Sequence, residues 1–154
     1  MQSTRNTKLI NAPVSKVFCA FASAEALGQW LAPDGMTGKV HSFDFRANGG
    51  YEMSLHYPEG ESQFEGKTAK REDRFTARFS EIVPNEKIVQ VTVFESDDER
   101  FKGEMKMTVL FEANGNATLV TMLFDNIPPG IAPEDNEEGT QQSLEKLAKY
   151  VKQT

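Results

Sequence analysis

Across residues 38–126 apolar and polar side chains alternate, and turn-forming residues break the alternation at roughly ten-residue intervals. Successive side chains of a strand point to opposite faces, so the pattern dictates strands with one buried face, joined as antiparallel neighbours. The spacing predicts strands at 38–47, 51–57, 72–83, 86–95, 103–113 and 116–126. Pro84-Asn85 and Asn114-Gly115 mark turns, and residues 96–100 form a polar connection. Residues 58–71 are charged, with only Phe64 to bury, and read as a mobile loop or as part of an interrupted strand. A sheet of this size needs a cover for its apolar face. The C-terminal segment supplies one: Leu144, Leu147, Ala148 and Val151 recur at helical spacing. Glu134, Asp135, Glu137 and Glu138 crowd its start and Lys146, Lys149 and Lys152 its end, as the helix dipole favours. Asp135 followed by Glu138 reads as a capping box.

Ahead of the strands, residues 4–10 read as a first strand. Pro13 then suits the first turn of a short helix bearing Val14, Val17, Phe18 and Phe21. Ser23 is the expected N-cap of a second helix that carries Leu27, Trp30 and Leu31 and stops at Pro33-Asp34-Gly35. The order of strand, two short helices, six strands and one long helix is an α+β architecture, and residues 1–154 are expected to form a single domain.

Hairpin chemistry refines the register. A two-residue Asn114-Gly115 turn pairs Ala113 with Asn116, and outward from there Phe111 with Thr118, Val109 with Val120, Met107 with Met122 and Met105 with Phe124. The Met and Phe side chains then share one face. The same rule at Asn48-Gly49 splits the apolar residues between faces and sets His41 opposite His56. A three-residue loop, Asn48-Gly49-Gly50 with Gly50 left-handed, pairs Phe45 with Met53, Phe43 with Leu55 and Ala47 with Tyr51, and keeps one apolar face. In that register His41 and His56, the only histidines, point apart, and no metal site is expected. The single cysteine, Cys19, excludes a disulfide framework and reads as a small buried residue.

Composition narrows the function classes. Lys+Arg of 17 against Asp+Glu of 23 leaves a formal net charge of -6, and no dense basic patch offsets it, so nucleic acid is not an expected partner. No apolar run is long enough for a membrane helix, and the N-terminus lacks the apolar stretch of a signal peptide; a cytoplasmic location is expected. No nucleophile elbow, phosphate-binding glycine loop or dinucleotide fingerprint occurs, so neither catalytic residues nor a cofactor are assigned.

What the strands carry in abundance is soft apolar bulk, more than one helix stripe covers, so either the two short helices complete the seal or a cavity remains. Flexible Met and flat Phe walls suit an adaptable pocket beneath the helix. Leu110, Leu119 and Leu123 fall on the other face, where a second copy of the chain could dock as a homodimer.

The segment NAPVSKVFCAFASAEALGQWLAP, the hairpin FDFRANGGYEM and the stretch EDRFTARFSEIVPNEKI, in this order and spacing, resemble the SRPBCC (START-like, helix-grip) superfamily. Within it, the chain is similar to the branch named for the activator of heat-shock protein 90 ATPase. That branch often carries a His and a Gly-Trp at the start of the last helix; residues 136–140 here keep only Gly139. The resemblance implies a curved sheet of about seven antiparallel strands gripping the C-terminal helix around a cavity. By position on that fold, Trp30, Phe45, Met53, Phe79, Met107, Met122, Phe124 and Leu144 would line it, with Trp30 covering the mouth. The expected function is binding of a hydrophobic small molecule, with no identifiable catalytic motif. Two alternatives stand beside it: a cyclase- or hydrolase-like enzyme using His41, Glu104, Asp125 or Asn126 at the mouth, and a chaperone-interacting stress-response module.

Overall fold

A computed structural model describes residues 2–33, 35–57 and 72–153. The expected 58–71 loop therefore lies outside the described residues, as does Asp34 of the predicted helix stop. The described elements are β1 (Gln2–Ile10), α1 (Val14–Cys19), α2 (Ala24–Trp30), β2 (Thr37–Asp44), β3 (Gly50–His56), β4 (Glu72–Val83), β5 (Lys87–Phe94), a short 3-10 turn (Glu99–Phe101), β6 (Met105–Asn114), β7 (Ala117–Ile127) and α3 (Pro133–Gln153). The seven strands form one antiparallel sheet in the order β1-β7-β6-β5-β4-β3-β2. Strands β2 to β7 are a simple meander, and β1 closes against the last of them. The two short helices and the long C-terminal helix pack on one face, giving the α+β helix-grip architecture.

Local signals place the helices well. Ser23 accepts a hydrogen bond from the Ala26 N–H at 3.3 Å and caps α2. In α3 the Ala132 carbonyl accepts from the Asn136 N–H at 3.1 Å, so Pro133 is the first helical residue. Asp135 therefore sits inside the first turn instead of capping it. Leu144, Leu147 and Val151 are at most 1% exposed, and Ala148 is half-buried. Cys19 is exposed, against expectation, because Val17 and Phe18 take the buried side of a helix only six residues long.

Register departs from expectation in two places. The β6–β7 hairpin slides by two residues: Phe111 pairs with Val120, Val109 with Met122 and Met107 with Phe124. Gly115, at φ +63°, takes the first central position of the turn, which favours glycine, and Asn114 stays in the strand. A two-residue slide preserves which face each side chain occupies, so the Met and Phe residues remain together.

Between β2 and β3 the connection is longer than expected, running from residue 45 to 49, and the left-handed residue is Asn48. Phe43 pairs with Tyr51 and Val40 with Met53, with a bulge at His41. Gly50 is needed for proximity, since a Cβ there would collide with the Ala77 carbonyl on β4. The loop is stitched to the same strand, with Asn48 N–H donating to the Phe79 carbonyl at 2.8 Å and Phe79 N–H to the Gly49 carbonyl at 2.9 Å. The bulge also turns His41 onto the face of Ser54, and hence of His56, so the expected opposite placement of the two histidines does not hold.

Helix α3 is fastened at the edge of the grip. Its Ser143 hydroxyl donates to the Leu31 carbonyl at 2.6 Å, Lys146 Nζ to the Ala32 carbonyl at 2.8 Å, and Asn136 Nδ2 to Thr4 Oγ1 at 2.8 Å. The helix backbone thus lies closest to β1 and α2. On the opposite sheet face Leu9, Val93 and Leu110 are exposed, while Leu119 and Leu123 are half-buried.

Candidate functional site

The space under α3 is unevenly filled. Beneath α1 and α2 aromatic rings close it: Phe21 meets Trp30 edge-on at 4.7 Å, Phe18 meets Phe45 at 5.7 Å, and Phe45 meets Phe79 at 5.1 Å. Edge-to-face rings at these separations fill space with favourable electrostatics. Beneath the first turns of α3, by contrast, lies a cavity of about 430 Å³. Phe75, Phe94, Met105, Met107, Met122 and Phe124 form its apolar walls, and Leu31, Ile131 and Phe101 close in from the surrounding loops.

Of the expected lining residues, Met107, Met122 and Phe124 face this cavity. Trp30, Phe45, Met53, Phe79 and Leu144 do not; they belong to the filled part of the core. Trp30 is no cover at the mouth. It is fully buried, and its indole N–H donates to the Ala20 carbonyl at 2.9 Å. Trp30 and Phe79 border only a second void of about 10 Å³, hardly room for one water. The physical reason is the pair of short helices, whose aromatic residues fill the space that a single helix stripe leaves open.

The polar groups in the cavity are ones the sequence reading passed over. Asp73 is 1% exposed, and its Oδ2 accepts a hydrogen bond from the Tyr57 hydroxyl at 2.9 Å. Burial raises the Tyr57 pKa, and the charge of Asp73 and the hydrogen bond to it raise it further. Deeper in, Gln90 Nε2 donates to the Tyr51 hydroxyl at 3.0 Å and to Thr92 Oγ1 at 3.3 Å. Burial pushes the Tyr51 phenol up to about 12, with the Gln90 hydrogen bond acting weakly the other way. On the helix side, Thr140 donates to the Asn136 carbonyl at 2.7 Å, leaving its oxygen lone pairs toward other partners. These groups can orient a bound molecule, whereas a tyrosine held this firmly protonated is a weak proton donor.

The raised Tyr51 value has a consequence for alkaline stability. A phenol with a folded pKa of about 12 against 10.0 unfolded stabilises the fold fully below pH 10, and this contribution is lost as pH rises toward 12. Tyr51→Phe should therefore flatten the alkaline loss of stability by on the order of 2–3 kcal/mol, read from denaturant midpoints across that range. Equal slopes for wild type and variant would disprove the assignment.

The expected mouth residues lie elsewhere. Glu104, Asp125 and Asn126 are exposed, and none lines the cavity; Asn126 Nδ2 donates to the Glu104 carbonyl at 2.7 Å. His41 sits on the outer face, its Nε2 at 2.8 Å from Ser54 Oγ, while the Ser54 hydroxyl donates to Glu72 at 2.6 Å. A carboxylate only accepts, so the Ser54 proton goes to Glu72 and His41 must donate from Nε2. That polarity is opposite to the relay that activates a serine, and Ser54 is fully buried. Among the described residues no cluster of three or more His, Cys, Asp or Glu side chains could hold a metal ion. Among them, too, no helix is long and apolar enough to cross a membrane.

Known proteins share this arrangement. No curated protein matches the sequence. Protein CV1439 from Chromobacterium violaceum superposes with a TM-score of 0.85 at 30% identity, over 97% of this chain and 96% of its own. A protein from Arthrobacter aurescens gives a TM-score of 0.81 at 18% identity, over 99% of this chain and 87% of its own. One from Staphylococcus epidermidis gives 0.75 at 20% identity, over 98% and 90%. The latter two share the fold. The family described as Activator of Hsp90 ATPase homolog 1-like protein matches residues 11–152, nearly the full length. With the two helices after β1, the seven-strand sheet and the gripped α3 in place, the chain belongs to that family, within the START-like superfamily.

Proposed function

We propose that the protein binds an apolar small molecule in the cavity between the sheet and the first turns of α3. The observation that carries this reading is a hollow of about 430 Å³ walled by methionine and phenylalanine, in a core otherwise packed with rings. Small-molecule sites fall at about 300–1,000 Å³ and combine apolar walls with a few polar groups that set orientation. Removing a ligand's apolar surface from water supplies the driving force, at about 25 cal/mol per Å². Met105, Met107 and Met122 are unbranched and can reshape the wall around different outlines. Tyr57–Asp73 and Tyr51–Gln90–Thr92 are the orienting groups.

The neutral fluorophore N-phenyl-1-naphthylamine tests the reading. Wild-type protein should bind it saturably, one per chain, with increased emission. Met107→Trp places an indole in the cavity wall and should abolish the signal while the circular dichroism spectrum stays unchanged. Wild-type protein that shows no saturable binding would refute the proposal.

A further inference from the structure

Resting on that reading, we infer that Gly139 sets the breadth of the cavity, which is shaped for a fused-ring apolar molecule in preference to a single alkyl chain. Gly139 is the seventh residue of α3 and lines the cavity. Glycine in the interior of a helix costs stability relative to alanine, because it has more backbone freedom to lose. The protein's own packing does not call for it here. Its φ lies outside the left-handed region. Beyond the helix backbone, the nearest described neighbour of a Cβ placed on it would be Pro33 Cγ at 3.6 Å, an ordinary contact. Gly50 and Gly130 differ, since a Cβ on either would collide with main-chain atoms of another segment. What the missing side chain leaves free at position 139 is room in the cavity wall.

That room cannot be closed by the neighbouring segment. Pro33 borders the same cavity, and Leu31 and Ala32 just before it are tied to α3. Ser143, one turn beyond Gly139, donates to the Leu31 carbonyl at 2.6 Å, and Lys146 donates to the Ala32 carbonyl at 2.8 Å. These two bonds fix the spacing between the helix and the segment, so the residue at position 139 decides how far across a bound molecule reaches. Met107, Met122 and Phe124 form the sheet side of the cavity. A narrow chain lying on that side would leave the helix side facing a void, where wall atoms forfeit their dispersion attraction. A fused-ring molecule reaches from the methionine wall to the bare backbone at Gly139 and keeps both sides in contact.

Gly139→Leu and Gly139→Ala test the inference with two probes of different breadth. N-phenyl-1-naphthylamine is followed by its emission and 1-octanol by isothermal titration calorimetry. Wild-type protein should bind the fused-ring probe more tightly than the chain. Gly139→Leu should shift the ratio of the two affinities toward 1-octanol by about tenfold or more, the scale on which added methylenes discriminate in an apolar pocket. Gly139→Ala should shift it less, and should raise the denaturation midpoint, as alanine does where the backbone and the space accept it. A lowered Gly139→Ala midpoint would mean that packing requires the glycine. An unmoved ratio in Gly139→Leu, whether both probes weaken equally or neither does, would mean that the residue does not set breadth. Either result overturns the inference, while saturable fluorophore binding to the wild type keeps the cavity reading. Absence of that binding removes both.

Discussion

Trp30→Ala should destabilise the protein by about 3–5 kcal/mol, the range for removing a large aromatic side chain from a packed core. Three observations place it there. The ring is fully buried, it meets Phe21 edge-on at 4.7 Å, and its N–H satisfies the Ala20 carbonyl at 2.9 Å. Ala20 sits in the tight connection between α1 and α2, so the indole ties that corner to the core in addition to filling space. The void beside it measures about 10 Å³, which leaves the neighbours little slack to rearrange around a deletion. Trp30→Phe separates the two contributions: it keeps most of the packing and orphans the carbonyl, and should cost about 1–3 kcal/mol. Chemical denaturation of the three proteins reads both values. A Trp30→Ala midpoint close to wild type would mean that the ring stands at a surface after all.

The fold was legible because it rests on period and punctuation. Alternation at residues 72–83 and 116–126 matches β4 and β7 within a residue, and the Ser23 cap starts α2 where expected. Exact pairing was harder to read, since it depends on which turn residue takes the left-handed position. Asn114-Gly115 admits two choices that preserve the buried face, and alternation alone does not choose between them. Gly50 serves a close approach to the Ala77 carbonyl on β4, a tertiary demand that no local rule announces, whereas Gly49 fits against the Asp44 carbonyl within its own connection. The site was only half legible. Met107, Met122 and Phe124 follow from the apolar face, but whether that face is filled depends on how deeply Phe18, Phe21 and Trp30 reach from the short helices. The polar groups did leave a signal. Asp73 stands in register with Phe75, Ala77 and Phe79, and Gln90 and Thr92 with Ile88 and Phe94. A polar residue at an inward position of an otherwise apolar row is a better marker of a cavity than the exposed carboxylates at strand ends.

Leu147→Ala is expected to cost about 2–5 kcal/mol, toward the upper part of that range. The cost of deleting a buried side chain grows with the void left behind, and hence with how firmly the surroundings are held apart. Leu147 is 0% exposed, midway between Ser143 and Val151 on the buried stripe of α3. The helix cannot easily settle inward to fill the gap. Ser143 and Lys146 fasten it to the Leu31 and Ala32 carbonyls, Asn136 to Thr4, and Asn6 reaches the Glu137 carbonyl at 3.1 Å. Ser143 and Asn136 also border the cavity, so the rigidity that makes Leu147 costly to delete also keeps the neighbouring cavity from collapsing. Two consequences separate this account from a general sensitivity of the helix. Leu147→Met, close in volume, should cost less than about 1.5 kcal/mol. Ser143→Ala combined with Leu147→Ala should lose less than the sum of the two single changes, because releasing the tether lets the helix sink into the space that Leu147 vacates. Strict additivity in denaturant midpoints would show that the tether does not hold the helix away from the sheet.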